Sequence, residues 1–327
     1  MPRHCSGLVS DYVIEFLGRL AKEHVMSKFT EYSIKMIENN SVREALTISF
    51  RKPVYLLDRV GLEKTLCEVV SSLGGRVSTK TLVTNVDLSK NFLETNRGPR
   101  YYDLVVISEG ATRRLVKSLN LCDVSKYLLG PQAFLSVSEI PETTEVVVSP
   151  LIGSGGFGWV IPVDEKHVVL GLVTTSRRAG LLLKYLIKKV FRLSSYKIKN
   201  FFGGLIPADK PCEKIVGENY FLVGDAVSTT KPVSKGGIYP LVEEVAILRD
   251  SLSRGSLNRD LIASKYEKLL SFLKIQHLAY RVILSVGGYY KLVKSLSEFG
   301  LKELKMLDYD KLVPDLITPA FISFARH

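Results

Sequence analysis

The residues whose types and spacing could do chemistry lie in Asn219 to Leu248, NYFLVGDAVSTTKPVSKGGIYPLVEEVAIL. An apolar run ends at Gly224-Asp225-Ala226, a short stretch holds Pro232, and Gly236 and Gly237 precede a helical pattern opening at Ile238. That order supplies a carboxylate at a strand tip and open backbone N–H groups at a helix start. It suits a polyhydroxylated, anion-bearing cofactor. Asp225 could accept from a hydroxyl, the glycines would let a flat ring approach the backbone, and the helix start favours negative charge on that ring. A Gly-Asp-Ala tripeptide by itself reads equally well as an ordinary strand–turn–helix.

A second candidate sits at the amino end. Cys5 in HCSG is followed by a glycine and then by Ser10-Asp11, a helix-start signal. One reading makes Cys5 a small buried hydrophobe; the preferred one puts its sulfur near a helix N-terminus, where a thiolate is favoured. His4 reads as a surface residue. Cys5, Cys67, Cys122 and Cys212 show no CxxC spacing and only 5 histidines accompany them, so neither a zinc site nor a disulfide framework is expected. The glycines at 153, 155, 156 and 158 lack a Gly-Lys-Ser/Thr ending and precede a strand pattern, which excludes a triphosphate loop.

These residues need a scaffold. The chain has 327 residues, is 46% hydrophobic and 24% charged, and so can build one large or two modest cores. No apolar run approaches the ~20 residues of a spanning helix, and the amino end lacks the pattern of a secretory signal, so the expected compartment is the cytoplasm. A net charge of +12 favours anionic company: nucleic acid, a phosphorylated ligand or an anionic membrane surface. No recognised nucleic-acid motif accompanies the charge, so nucleic acid is not expected. Lys-rich surfaces also occur with no anionic partner.

Periodicity predicts a helix over 10–29, strands in EYSIKMIE, REALTISF and VYLLDR, and a helix in GLEKTLCEVVSSLGG stopped by Gly74-Gly75. Asp103 to Ile107 is an apolar run suited to a parallel strand buried on both faces. FLSVSEI, TEVVVSP, GWVIP and HVVLGLVT read as an antiparallel sheet forming its own layer, followed by the basic helix GLLLKYLIKKVFRLS. YFLVGDA returns to a parallel-type strand. The tail beyond Asn258 is helical until Pro314 and Pro319.

Several motifs in this order resemble the geranylgeranyl reductases, FAD-dependent flavoproteins of the para-hydroxybenzoate hydroxylase-like class. HCSGLVS is similar to the family's Cys-Gly motif near the flavin, and LDRVGLEKTL to its Arg-containing strand-to-helix segment. YYDLVVISEGATRRL resembles the strand closing the FAD sheet, GFGWVIPVDEKHVVLGL the aromatic-x-Trp-x-aromatic-Pro…Gly signature, and VGDAVSTTKPVSKGGI the second FAD motif. The matches cover roughly residues 3–250.

The resemblance implies an α/β fold with an FAD-binding Rossmann-like domain, an antiparallel β-sheet substrate domain and C-terminal helices. The divisions expected are 1–126 with 206–250 for FAD, 127–205 for substrate and 251–327 for the helical region. The family's N-terminal GxGxxG unit, which would hold the FAD pyrophosphate, is not in this sequence, so the FAD domain is expected to be incomplete. By resemblance Cys5, Ser6, Gly7, Arg59, Gly224, Asp225, Pro232, Gly236, Gly237 and Ile238 contact FAD, and Cys5 is the catalytic candidate. Phe157 and Trp159 line the prenyl pocket, while Pro162 and Gly171 shape its sheet. Arg59 reaches the FAD phosphates or pairs with Asp58 or Glu63 at the surface. Phe157 stands for the usual Tyr, Ile161 for the usual Phe, and Lys235 for the motif's third glycine. Lys235 sits near anionic oxygens or, as the preferred reading, faces solvent.

The function implied is saturation of C=C bonds in geranylgeranyl chains of ether-lipid precursors or prenyl diphosphates. An external donor, ferredoxin or a nicotinamide, would supply electrons. The basic amphipathic tail helices either lie on an anionic membrane or pack on the body, so the site expected is cytoplasmic and peripheral to the inner membrane face. Two alternatives stand beside this: an FAD-dependent monooxygenase or halogenase, and a non-catalytic lipid-binding descendant that has lost tight FAD binding.

Overall fold

The computed structural model describes residues 5–39, 41–123, 125–191, 195–252 and 257–310. His4, Pro314 and Pro319 lie outside the described residues. The first elements are β1 (Leu8–Ser10), α1 (Asp11–Leu17), α2 (Arg19–Lys22), β2 (Val25–Glu38), β3 (Ser41–Leu57) and α3 (Arg59–Ser72). Next come β4 (Val83–Asp87), β5 (Phe92–Thr95), β6 (Arg100–Tyr101), β7 (Val105–Ile107), α4 (Arg114–Ser118), β8 (Tyr127–Val137), β9 (Thr144–Val148), β10 (Phe157–Asp164) and β11 (His167–Val173). The chain continues through α5 (Ala179–Val190), β12 (Tyr196–Pro207), β13 (Tyr220–Leu222), α6 (Ile238–Leu252), α7 (Arg259–Ser285), α8 (Gly288–Glu298) and β14 (Glu303–Met306).

The helix expected over 10–29 is shorter. Gly18 takes φ 58 and ends α1, and from Val25 onward the chain pairs antiparallel with β3, Val25 opposite Leu57. Tertiary strand pairing overrides a helical period that the side chains also permit. VYLLDR is likewise no separate strand, because its apolar part forms the end of β3.

The large sheet runs β1-β3-β2-β9-β10-β11-β8-β12, with β14 added parallel to β3. The expectation of a separate antiparallel layer is therefore corrected. β8 to β11 do pair antiparallel among themselves, but β9 also pairs parallel with β2, from Tyr32 opposite Thr144 to Met36 opposite Val148. Backbone groups left unpaired on a buried edge are costly, and the β2 edge satisfies those of β9.

Compactness divides the chain into two units. One unit comprises 1–63, 128–205 and 277–327; the other comprises 64–127 and 206–276. In the first, successive side chains of each strand point to opposite faces. Val160, Leu170, Leu172 and Ala133 pack with Leu183, Leu186 and Ile187 of α5, each buried Val, Leu or Ile side chain contributing ~1.5–3 kcal/mol. Ile161, Val163 and Val169 form a different cluster with Phe29, Tyr32, Phe50 and Met306.

The second unit holds the antiparallel set β4-β5-β6 and the parallel pair β7-β13, Val105 opposite Tyr220 to Ile107 opposite Leu222. The apolar run at Asp103 to Ile107 thus forms the parallel strand its composition suggests. Phe221, Leu222, Val223, Val227, Ile262 and Leu273 lie in one core there. Cys122 and Cys212 are joined as a disulfide with Cα atoms 5.8 Å apart. No disulfide is expected from their spacing, since 90 residues separate them and only the fold brings them together. Among the described residues no single helix is long and apolar enough to cross a membrane; α7 and α8 reach that apolarity together, bent by 75°.

Arg113 is fully buried in the left-handed region at φ 50. Its guanidinium donates to Asp209 Oδ2 at 2.9 Å, the Tyr127 hydroxyl at 3.2 Å and the Lys126 carbonyl at 3.2 Å. Asp209 also accepts from the N–H groups of Ser125 and Lys126. Breaking such a pair strands a charge in low dielectric. Arg113→Met is expected to lower unfolding free energy by ~3–5 kcal/mol in urea titration; a loss below ~1 kcal/mol would mean the pair is not a structural anchor.

Candidate functional site

The sequence-predicted residues fall into two sets, one per unit. Cys5, Ser6, Gly7, Arg59, Phe157, Trp159, Pro162 and Gly171 belong to the first; Gly224, Asp225, Pro232, Gly236, Gly237 and Ile238 belong to the second.

In the second unit β13 delivers the chain to a helical turn over Gly224–Val227. Asp225 is half-buried and its Oδ1 accepts from Thr230 Oγ1 at 3.3 Å. Burial raises its pKa, opposed by the Thr230 bond and the charge of Arg113. A Cβ at Gly237 would come within 3.2 Å of Asp225 Oδ1, so glycine there keeps the carboxylate edge open. The loop is closed by Lys231 N donating to Gly236 O at 3.0 Å and Lys235 N donating to Lys231 O at 2.9 Å. It leads straight into α6 at Ile238.

Three features of this loop were not legible in the motif. The Lys235 side chain is half-buried and folds back on its own loop: its ammonium donates to the Pro232 carbonyl, and desolvation lowers its pKa to about 7. Lys231 is 1% exposed. Glu244, about two turns into α6, is fully buried and its Oε2 accepts from Gly224 N at 2.5 Å, which braces the turn carrying Asp225. Burial, with a smaller contribution from Asp225, pushes the Glu244 carboxyl up to about 8. The helical period marks Glu244 only as one acid among two neighbours, Glu243 and Glu244.

In the first unit, Cys5 is half-buried and its Sγ accepts from Gly7 N at 3.3 Å. The expected helix start is not beside it. The three residues of β1 intervene before α1, a rise of ~10 Å, so the sulfur faces a backbone N–H and not a helix terminus. Gly7 takes φ +85, and a Cβ there would lie 2.9 Å from Leu57 O; β1 can pair with β3 only because that position has no side chain. Arg59 pairs with Glu63 at 2.8 Å, and Asp58 Oδ1 accepts from Val60 N. Pro162 sits where the register of β10 shifts against β11, a bulge that tolerates a missing N–H.

The aromatic wall is the most developed feature. Trp159 lies opposite Gly171, and Gly171 opposite Gln132, across β10, β11 and β8. A Cβ at Gly171 would fall 2.5 Å from the indole and 2.7 Å from Gln132 Cγ, so glycine leaves the space the indole occupies. Phe157 stands 6.0 Å from Trp159 and 5.3 Å from Tyr289, and Tyr280 stands 6.2 Å from Tyr289. The Tyr280 hydroxyl donates to Gly155 O at 3.2 Å. Trp159 Nε1 and Gln132 Oε1 are buried with no hydrogen-bond partner. Gln132, Tyr280 and Tyr289 were missed in the sequence; for the tyrosines the only signal is the aromatic content of the tail.

No protein-family model matches the chain. It is 24% identical over 256 residues to the digeranylgeranylglycerophospholipid reductase of Methanosarcina acetivorans, covering 69% of this chain and 61% of that one. With its counterpart in Methanocaldococcus jannaschii it shares 22% over 301 residues, 83% and 75% of the two chains. It is similar in sequence to digeranylgeranylglycerophospholipid reductases. A geranylgeranyl bacteriochlorophyll reductase-like protein from Thermoplasma acidophilum shares its fold at TM-score 0.80 and 15% identity, covering 99% of this chain and 89% of that one. The flavin-dependent halogenase CmlS does so at TM-score 0.65 and 16% identity, covering 99% and 65%. The α/β fold expected from the motifs is thus the fold observed, with the sheet correction above. The chain spans about three-fifths of the length of the Methanosarcina acetivorans relative.

Two outcomes follow from this geometry. The unfolded chain ionises Glu244 near 4.5 and the folded chain near 8, so stability falls as pH rises between those values. Glu244→Gln is expected to remove a loss on the order of a few kcal/mol, flattening the urea-midpoint profile from pH 5 to 8; an unchanged profile would show that the carboxyl titrates normally. Gly171→Ala must displace the indole, costing ~1–3 kcal/mol and shifting the emission of Trp159, the only tryptophan. Unchanged emission would remove Gly171 from the wall.

Proposed function

We propose that this chain is an FAD-dependent oxidoreductase that saturates C=C bonds of geranylgeranyl chains carried by ether-lipid precursors or prenyl diphosphates. The observation that carries this is the aromatic wall of Phe157 and Trp159 over Gly171, on a chain similar to digeranylgeranylglycerophospholipid reductases. An apolar wall of that kind suits a long hydrocarbon, which offers nothing to hydrogen-bond.

Whether the residues present fit FAD can be judged on the cofactor loop. Glycine at 237 keeps a Cβ away from Asp225 Oδ1, and Ser234 Oγ has no partner, so the loop holds an acceptor and a hydroxyl of the kind a polyol chain and a heteroaromatic ring would engage. The residues fit. When bound and reduced by the external donor, FAD would supply hydride to one alkene carbon, and the protein would align and tune it. Asp225 would accept from a ribityl hydroxyl; Gly236 and Gly237 would lie against the ring, and Pro232 and Ile238 would flank it. Phe157, Trp159, Tyr280 and Tyr289 would hold the chain in place and keep water from the reacting carbons. Cys5 is assigned as the proton donor for the other alkene carbon.

The reading carries an external electron donor, ferredoxin or a nicotinamide, and a cytoplasmic site on the inner face of an anionic membrane. The exposed Ile275, Leu278 and Leu284 of α7, with Arg281 among them, support the membrane reading. A monooxygenase or halogenase reading has the CmlS scaffold in its favour and is separated by substrate-dependent oxygen uptake.

The test is to purify the chain with FAD, reduce it with dithionite and add an unsaturated archaeal-type lipid. Flavin near one-to-one and gain of two hydrogens per double bond by mass spectrometry are expected, with Trp159→Ala losing tenfold or more in rate. Flavin bound without saturation, together with oxygen uptake, would move the assignment to the oxygenases; no flavin under any condition would leave the lipid-binding alternative.

A further inference from the structure

The aromatic wall contains two polar atoms that a hydrocarbon cannot serve. Gln132 is 2% exposed, and its Oε1 has no hydrogen-bond partner. Trp159 Nε1 is buried and equally unpartnered, although the residue as a whole is half-buried. The two side chains are neighbours. A Cβ at Gly171 would lie 2.5 Å from Trp159 Cε2, the carbon bonded to Nε1, and 2.7 Å from Gln132 Cγ. Trp159 and Gln132 flank Gly171 from the strands on either side, so both lean over the one position on the wall that has no side chain of its own.

A buried donor or acceptor left without a partner is a cost to folding that an apolar residue of the same size would avoid. Thr144 Oγ1 and the Tyr32 hydroxyl are unpartnered on this face too, but they are sealed: Thr144 is 1% exposed, and Tyr32 packs edge-on against Phe50 and Tyr309. Gln132 and Trp159 lie instead beside the half-buried ring of Phe157. They offer one N–H and one carbonyl oxygen. A single group that satisfies both must accept a hydrogen bond and donate one, which a hydroxyl does and an ether oxygen or an alkene does not. A phosphate finds no counter-charge there. The same-face neighbours along β8, β10 and β11 are Phe134, Phe157, Ile161, Val169 and Val173, and an unpaired charge among apolar side chains is strongly disfavoured.

We propose that Gln132 and Trp159 form a neutral polar subsite in the wall that binds an alcohol hydroxyl of an isoprenoid lipid. Trp159 Nε1 donates to the hydroxyl oxygen, and the hydroxyl donates to Gln132 Oε1. This rests on the reading of the wall as the prenyl site and deepens it by naming a substrate class, a lipid with a free hydroxyl in preference to one whose oxygens are all alkylated. Gln132 is then a specificity-determining residue, since it alone of the pair separates an alcohol from an ether. Two sources carry such a hydroxyl, the terminus of a prenyl alcohol and the glycerol of an ether lipid, and the test has an arm for each.

The experiment titrates the full chain in detergent micelles with geranylgeraniol and its methyl ether in one arm, and with di-O-geranylgeranylglycerol and its methyl ether in the other. The hydrocarbon phytane is the control. Binding is read from the emission of Trp159, the only tryptophan. In at least one arm the alcohol is expected to bind about tenfold or more tighter than its ether, because methylation leaves Gln132 Oε1 without a donor; the arm that discriminates identifies the source of the hydroxyl. Gln132→Met, which keeps the length and removes the acceptor, is expected to bring alcohol and ether within about threefold of each other. Trp159→Phe, read by calorimetry, removes the donor and is expected to lower the preference for alcohol over phytane about tenfold. Equal binding of alcohol and ether by the parent in both arms would overturn the proposal and leave a water molecule as the occupant of the pair; phytane still binding in that case would leave the wall reading intact. Discrimination that survives in Gln132→Met, or an undiminished preference in Trp159→Phe, would equally overturn it, since another group then reads the hydroxyl. A parent that binds none of the probes removes the wall reading and the inference together.

Discussion

The architecture depends on one backbone ladder, the five residues of β9. Glu145, Val146 and Val147 pair antiparallel with β10 on one side, and all five pair parallel with β2 on the other. Without that second pairing the aromatic strands would be an isolated antiparallel block, and the amino-terminal hairpin β2–β3 would present an open edge. The ladder is reinforced by Lys35 and Glu145, neighbours across β2 and β9 that form a partly buried ion pair. An ion pair in that setting adds little net stability, but it penalises a slipped register, since a one-residue shift would bury one charge alone.

From that continuity follows the division of labour between the sheet's faces. Because the pleat alternates, placing Val160, Leu170 and Leu172 under α5 obliges Phe157, Trp159 and Ile161 to point the other way. One face is closed by a helix of its own unit. The opposite face carries the aromatic residues, and Gly171 gives the indole room by having no side chain. The wall is a consequence of where α5 packs, and the polar atoms of Trp159 and Gln132 left unpartnered on it mark where that packing alone does not account for the residue types.

In the other unit the governing constraint is electrostatic. Arg113, Asp225, Lys231, Lys235 and Glu244 are ionisable groups gathered around one turn, and burial shifts Asp225 and Glu244 upward and Lys235 downward. Every such shift is a cost to folding. A chain that keeps several of them around a strand-to-helix turn has spent stability on the properties of that turn, as functional sites commonly do. Arg113 with Asp209 fixes the position of the preceding loop, and Glu244 fixes Gly224 from below, so Asp225 is held between two supports.

The sequence by itself determined the local terms. The alternation in FLSVSEI, TEVVVSP and HVVLGLVT, the apolar run at Asp103 to Ile107 and the Gly-Asp-Ala turn before α6 all appear where periodicity and turn chemistry put them, because these signals lie within a few residues of one another. The order of motifs also carried the family resemblance. Tertiary structure alone decided the rest. Val25 to Phe29 became strand because β3 was there to pair with, and Cys122 met Cys212 across 90 residues. Cys5 was separated from its helix by β1, and Lys235 was half-buried against the Pro232 carbonyl. Strand partnership and desolvation depend on what else packs nearby, and a one-dimensional pattern records a residue's own period but not the company the fold brings to it.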